Sequence, residues 1–214
     1  MILNVIRYAT IIVAVLLCAA EYQFMKKIKD VPKPESKREK LYFQCMPFAL
    51  VLLAVYLIWR TDAARVFDGW KFVAVVALLW PVAFIDWRTN TIPNEWILQG
   101  IALRGLIWIC ELLYGPADAA ARIVADLLGC GILLCVCIML RFFSRNGLGM
   151  GDVKLLSILP LFFGMINGFT AVIYSLLVVF VQSCYFLITK KKGKKDVIPM
   201  CPAILAGCVI TILL

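Results

Sequence analysis

The chain has 214 residues, 64% of them hydrophobic, with 22 Lys and Arg against 13 Asp and Glu and no histidine. Soluble domains are about 45–50% apolar, so this composition, with a mean hydropathy of +0.95, is that of an all-α polytopic membrane protein. Lack of histidine excludes His-based Ser and Cys catalysis, HExxH zinc chemistry and His proton relays. The formal charge of +9 does not point to nucleic acid, because the basic residues lie between apolar runs rather than on one face.

About eight membrane helices are expected. The first covers 5–20, and it is followed by a basic polar loop over 21–40 with Pro32 and Pro34. That loop argues against a cleaved signal peptide and is too short for a domain of its own. The second span covers 41–59. The third covers 72–85, contains Pro81 as a kink and ends at Asp86. A polar hairpin then runs from Trp87 to Trp96. The fourth span, 96–114, holds Arg104 and Glu111, which fall on one helix face and are expected to pair. The fifth covers 122–143, where Arg122 and Asp126 have i,i+4 spacing and are expected to pair near the surface. The sixth covers 153–163 and contains Pro160. The seventh covers 169–189 and precedes the lysine run from Lys190 to Lys195. The last follows Pro202 and ends at Leu214. The whole of 1–214 is expected to be one membrane domain, with its core over about 72–214.

Charge sets the orientation. With the N-terminus outside, the inner loops are 21–40, 86–95, 144–152 and 190–198. With their helix ends they hold seven, one, three and five basic residues, 16 of the 22. Cytoplasmic loops carry such an excess. Asp86 then closes one span, and Asp152 opens another, at the same inner face. The nine cysteines lie mostly in apolar runs, where a thiol behaves as a small hydrophobe. No CxxC pair is present, only Cys135-Val136-Cys137, so no structural zinc site, disulfide framework, metal ligand or cofactor is expected.

The segment Gly147-Leu148-Gly149-Met150-Gly151-Asp152-Val153-Lys154 delivers an acid to the start of a membrane helix through three glycines. Glycine permits close approach of another backbone, and a helix N-terminus stabilises a carboxylate. The plain structural reading is a turn with Asp152 as an N-cap. The functional reading is that Asp152 joins Asp86. Two carboxylates about 3 Å apart split their pKa values. One then takes a proton from water while the other, protonated, polarises a carbonyl. The helix N-terminus favours Asp152 as the ionised partner.

Gly149-Met150-Gly151-Asp152 matches the GxGD signature of membrane aspartic peptidases. The longer run through Lys154 resembles the type IV prepilin peptidase family. Asp86 followed by Ile92-Pro93-Asn94 is similar to that family's first catalytic segment. Ile198-Pro199-Met200-Cys201-Pro202 is similar to its C-terminal Ile-Pro-Phe-Gly-Pro segment, with Met-Cys in place of Phe-Gly. The resemblance covers about 72–214. It implies an aspartic endopeptidase of the cell membrane, multi-pass, with its site facing the cytoplasm. The substrate would be a prepilin or pseudopilin precursor, cut behind its short basic leader. By the same resemblance Asp86 and Asp152 are the catalytic pair and Gly149 and Gly151 shape the site. Lys154, Ile92, Pro93, Asn94, Pro199 and Pro202 line the site or the substrate groove. Glu95 is a candidate to attract the basic leader, and the cytoplasmic lysines are expected to contact anionic lipid. Many bacterial members carry a longer insert with two CxxC pairs, linked to N-methylation. This compact form lacks it, so peptidase and not methyltransferase activity is expected.

Two other classes fit some of these features. A small proton-coupled transporter would line a path with Asp86, Asp152 and Arg104, but it calls for acids at mid-membrane and paired breaks in two halves. A non-catalytic assembly protein of a pilus or secretion machine would tolerate loss of either acid.

Overall fold

Lipid offers no hydrogen-bond partner to a bare peptide group, so the apolar runs of this chain must become helices. The computed structural model describes residues 2–28, 32–60, 66–144, 147–189 and 198–214. Among these residues there are nine helices and no strand. They are α1 (Ile2–Lys27), α2 (Lys37–Arg60), α3 (Val66–Thr89), α4 (Asn94–Tyr114), α5 (Pro116–Phe143), α6 (Met150–Ser157), α7 (Leu159–Phe163), α8 (Met165–Ile188) and α9 (Cys201–Leu213). Lys29, Arg65, Arg145 and the lysine run at 190–195 lie outside the described residues.

Six helices, α1 to α5 and α8, are long and apolar enough to cross a membrane, against the eight expected. The difference has two causes. The expected span over 153–163 is broken into α6 and α7. Pro160 has no N–H to give to the carbonyl of Leu156, and the chain tightens instead, with Leu161 N–H donating to Ile158 O at 3.1 Å. The expected last span is α9, only 13 residues long.

The segment expected as a loop over 21–40 is helical at both ends. Lys26 and Lys27 close α1, where positive charge suits the helix C-terminus. Ser36-Lys37-Arg38-Glu39 has the spacing of a capping box. Glu39 Oε2 accepts from the backbone N–H of Ser36 at 3.1 Å and of Glu35 at 2.9 Å, which starts α2 four residues before the apolar run.

The chain divides into two compact units, Met1–Pro81 and Val82–Leu214, and the division falls within α3. In the first unit α1 lies against α2. The Tyr42 hydroxyl donates to Trp80 O at 2.9 Å, and the two rings stack 4.9 Å apart.

The second unit contains the end of α3 and helices α4 to α9. The short pieces α6 and α7 are its core: Val153, Leu155, Leu156 and Ser157 are buried, and so is every residue of α7. Gly168 of α8 lets Pro160 nest there, since a Cβ at 168 would meet Pro160 Cα at 2.5 Å. Helices α8 and α9 pair closely, and the Ser175 hydroxyl between them donates to Ala171 O at 2.7 Å.

A knot of charge ties α4, α5 and α7 together. Arg104 is fully buried, with its guanidinium 3.3 Å from Glu111 and 2.9 Å from Asp126. Its Nε donates to the carbonyl of Leu161, in the last turn of α7, where helical carbonyls lack intrahelical donors. The expected Arg104–Glu111 pair is therefore present. Asp126 is buried and faces this pair, while Arg122 is exposed on α5.

Candidate active site

The site forms where three chain segments end or begin. Helix α3 supplies Asp86 and stops at Thr89. Asn90 follows with φ +51°, its N–H donating to Asp86 O at 2.8 Å. Asparagine tolerates this left-handed conformation, which turns the chain sharply. Ile92 and Pro93 then lead into α4, with Pro93 as its N-cap residue.

Helix α6 supplies Asp152. Gly149 is the N-cap residue and Asp152 the third residue of the helix, so Asp152 is not the cap. Its carboxylate folds back over the helix start: a Cβ on Gly149 would lie 2.6 Å from Asp152 Oδ2. Gly151 serves a different approach. A Cβ there would meet Ile92 Cβ at 2.9 Å, so the 90–93 hairpin rests directly on the α6 backbone. Lys154 strengthens the same junction, its Nζ donating to Asn94 Oδ1 at 2.8 Å. Arg141 of α5 holds the glycine segment from the other side by donating to Leu148 O.

Helix α9 supplies Cys201, its first residue. The Cys201 backbone N–H, unpaired within the helix, donates to Asp86 Oδ2 at 2.8 Å. Asp86, Asp152 and Cys201 each offer a ligand atom, and these three atoms all lie within 4.8 Å of one another. Asp86 and Cys201 are buried, at 4% and 0% exposure, and Asp152 is partly exposed. Asp152 Oδ1 is fully covered and has no hydrogen-bond partner. Its carboxyl is pushed up from the usual 3.8 to about 6, first by burial and then by the negative charge of Asp86. These two effects outweigh the helix N-terminus, which alone favours an ionised Asp152.

The structure brings Asp86, Asp152, Gly149, Gly151, Ile92, Asn94 and Lys154 into one junction. Pro93 is half-buried at the start of α4, and Glu95 is exposed in its first turn. Pro199 is buried, its carbonyl accepting from Gln182 Nε2 at 3.4 Å, and Pro202 is the second residue of α9. Cys201 was not among the expected site residues. Its signal was its place inside the Ile-Pro-x-x-Pro segment, which outweighs the general rule that a thiol in an apolar run is filler.

A family model for the type IV leader peptidase family matches residues 73–188. The match covers more than half of the sequence and contains both acids. The chain belongs to the type IV leader peptidase family. No curated protein and no solved structure matches it. A leader peptidase of this family with six candidate spans is a multi-pass membrane protein. The matched stretch ends before Cys201, so the third group at the site lies beyond it.

Proposed function

We propose that this leader peptidase is an aspartic endopeptidase that cuts the basic leader from type IV prepilin or pseudopilin-like precursors at the cytoplasmic membrane face. The observation that carries this reading is the convergence of Asp86 and Asp152, with one carboxylate oxygen covered and unpartnered. Buried, mutually repelling acids are rarely kept for stability alone.

The roles follow from the surroundings. Asp86 Oδ2 receives the Cys201 N–H, a donor suited to a carboxylate, and Asp86 acts as the base. Asp152, with its carboxyl raised to about 6, carries the shared proton more readily and acts as the acid. Asp86 takes a proton from water as the water oxygen bonds to the scissile carbonyl carbon. Asp152 gives its proton to the carbonyl oxygen. Collapse of the tetrahedral intermediate breaks the C–N bond, and the amine leaves with a proton returned through the pair.

A groove of about 490 Å³ beside the site suits the apolar part of such a substrate. Leu133 and Leu140 of α5, Phe169 and Ile173 of α8, and Gly147 and Leu148 line it. The inner-face assignment rests on the distribution of Lys and Arg.

The test is processing of a pseudopilin precursor in liposomes, with the product N-terminus read by mass spectrometry. Wild type is expected to cut once behind the leader. Asp86→Asn and Asp152→Asn are expected to lose about 10³-fold or more while staying folded. Cleavage at near wild-type rate by either variant removes the two-acid mechanism.

A further inference from the structure

We propose that Asp86, Asp152 and Cys201 together form an inhibitory binding site for a thiophilic divalent cation, zinc foremost, so that metal occupancy switches the peptidase off. The inference rests on the two-acid reading above and adds a regulator to the same site.

The donor set is specific. Two oxygens and one sulfur come from three different helices and lie within 4.8 Å of one another. Zinc binds carboxylate oxygen at about 2.0–2.2 Å and thiolate sulfur at about 2.3 Å, which sets ligand atoms about 3.3–3.8 Å apart in a tetrahedron. Closing the present spacing to that range takes movements of about 1 Å, within the reach of side-chain torsions. A water in the fourth position completes the shell.

The chemistry also discriminates among cations. Calcium takes six to eight oxygens and magnesium about six, so two carboxylates leave either ion mostly to water. A thiolate favours the softer zinc and cadmium. Cys201 is held for this role, because its own N–H is fixed on Asp86 Oδ2 and its side chain is fully buried beside the pair. Asp152 Oδ1 is covered and unpartnered, an acceptor that a cation satisfies directly. The partly exposed side of Asp152 is the way in.

Binding is an ordinary exchange. The thiol and the protonated acid of the pair give up their protons to solvent, the sulfur–metal bond forms, and two carboxylate oxygens replace waters on the ion. No redox step is involved. Inhibition follows because Asp86 and Asp152 spend their oxygens on the ion and can no longer take and give the protons that hydrolysis requires.

The experiment uses the full-length protein in detergent. Zn²⁺, Cd²⁺ and Mg²⁺ are titrated into the processing assay for wild type, Cys201→Ser and Cys201→Ala, each scaled to its own metal-free rate. In parallel, Cd²⁺ binding is read from the ultraviolet sulfur-to-cadmium band, which needs no activity. Wild type is expected to be inhibited by Zn²⁺ and Cd²⁺ but not Mg²⁺, and restored by chelator. Both Cys201 variants are expected to need on the order of tenfold more metal or higher, and to lose one equivalent of the cadmium band. Asp152→Asn is expected to weaken cadmium binding in the same assay. Equal zinc sensitivity in wild type and both Cys201 variants overturns the metal site and leaves the peptidase reading intact. Activation by zinc overturns the inhibitory role. If wild type binds cadmium through Cys201 but never cuts the precursor, the metal site stands and the peptidase reading falls. A variant that fails to fold is identified by size exclusion, and the direct cadmium titration of Asp152→Asn then decides.

Discussion

The second unit of the molecule holds two clusters of ionisable side chains, and they are built on opposite plans. Around Arg104, one guanidinium meets two carboxylates and a helix-end carbonyl, and the Trp108 ring lies 5.1 Å from it. Around Asp86, two carboxylates face each other and a thiol, and an oxygen of Asp152 has no donor. The first cluster meets the rule that buried charge must be paired and hydrogen-bonded. In the second, Asp86 accepts from the Cys201 N–H, and Asp152 Oδ1 departs from the rule. Charge complementarity marks the cluster that holds α4, α5 and α7 together. An unpartnered oxygen on Asp152 marks the other.

The comparison breaks most easily at Arg104. Arg104→Met leaves Glu111 and Asp126 buried without their cation and is expected to cost about 3–5 kcal/mol. A triple replacement of Arg104, Glu111 and Asp126 by apolar residues of similar volume is expected to recover most of that loss. Thermal unfolding in detergent reads both. A mild effect of Arg104→Met alone would show that the cluster is not what braces α7.

Asp152→Asn is expected to act in the opposite direction. The Asp152 carboxyl titrates near 6 in the folded chain against a usual 3.8, so between those values the folded state holds a proton that the unfolded state releases. Folding stability therefore falls as pH rises from about 4 to about 6 and stays low above. The shift corresponds to at most about 3 kcal/mol. Asp152→Asn removes this penalty, so the variant should melt higher than wild type at pH 7.5. The gap should close below about pH 4. A variant that is less stable at every pH would show that Asp152 is structural after all.

The two clusters differed in how far the sequence disclosed them. Arg104 and Glu111 stand seven residues apart, and helical geometry alone brings them to one face. Asp126 was harder, because Arg122 offers a nearer partner in sequence and only the packing of α5 on α4 turns Asp126 inward. Asp86 and Asp152 were legible through charge-derived topology and the glycine spacing together. Cys201 was not, because composition treats a thiol in an apolar run as filler. Its one signal is its place inside the Ile-Pro-x-x-Pro segment, and the N–H it donates to Asp86 Oδ2 is a backbone contact that no pattern of side chains reports. The break between α6 and α7 was legible only as Pro160, since a proline predicts a kink without saying whether a span survives it. The early start of α2 was written in Ser36 and Glu39 and hidden by the surrounding lysines.

Packing at the site is tested next. Gly151→Ala puts a methyl within 2.9 Å of Ile92 Cβ and should push the hairpin off α6. Overpacking of this kind costs about 1–3 kcal/mol. The activity loss should exceed what that destabilisation explains, because Asp86 and Asp152 lie on opposite sides of the junction. Adding Ile92→Ala should restore part of the activity, and the coupling between the two changes is read by a double-mutant cycle.

The smallest effect is expected at Lys154. Its hydrogen bond to Asn94 crosses the same junction as the Gly151–Ile92 contact, but it is exposed and its charge is screened. Lys154→Met should therefore change stability by no more than about 1 kcal/mol. Hydrogen exchange of the hairpin amides measures how far the junction loosens in each variant. If Gly151→Ala frees the hairpin and Lys154→Met does not, direct backbone packing keeps the two acids together. If both free it equally, the lysine link is part of the frame. Asn94→Ala should then reproduce the Lys154 effect, because either change removes the same single bond.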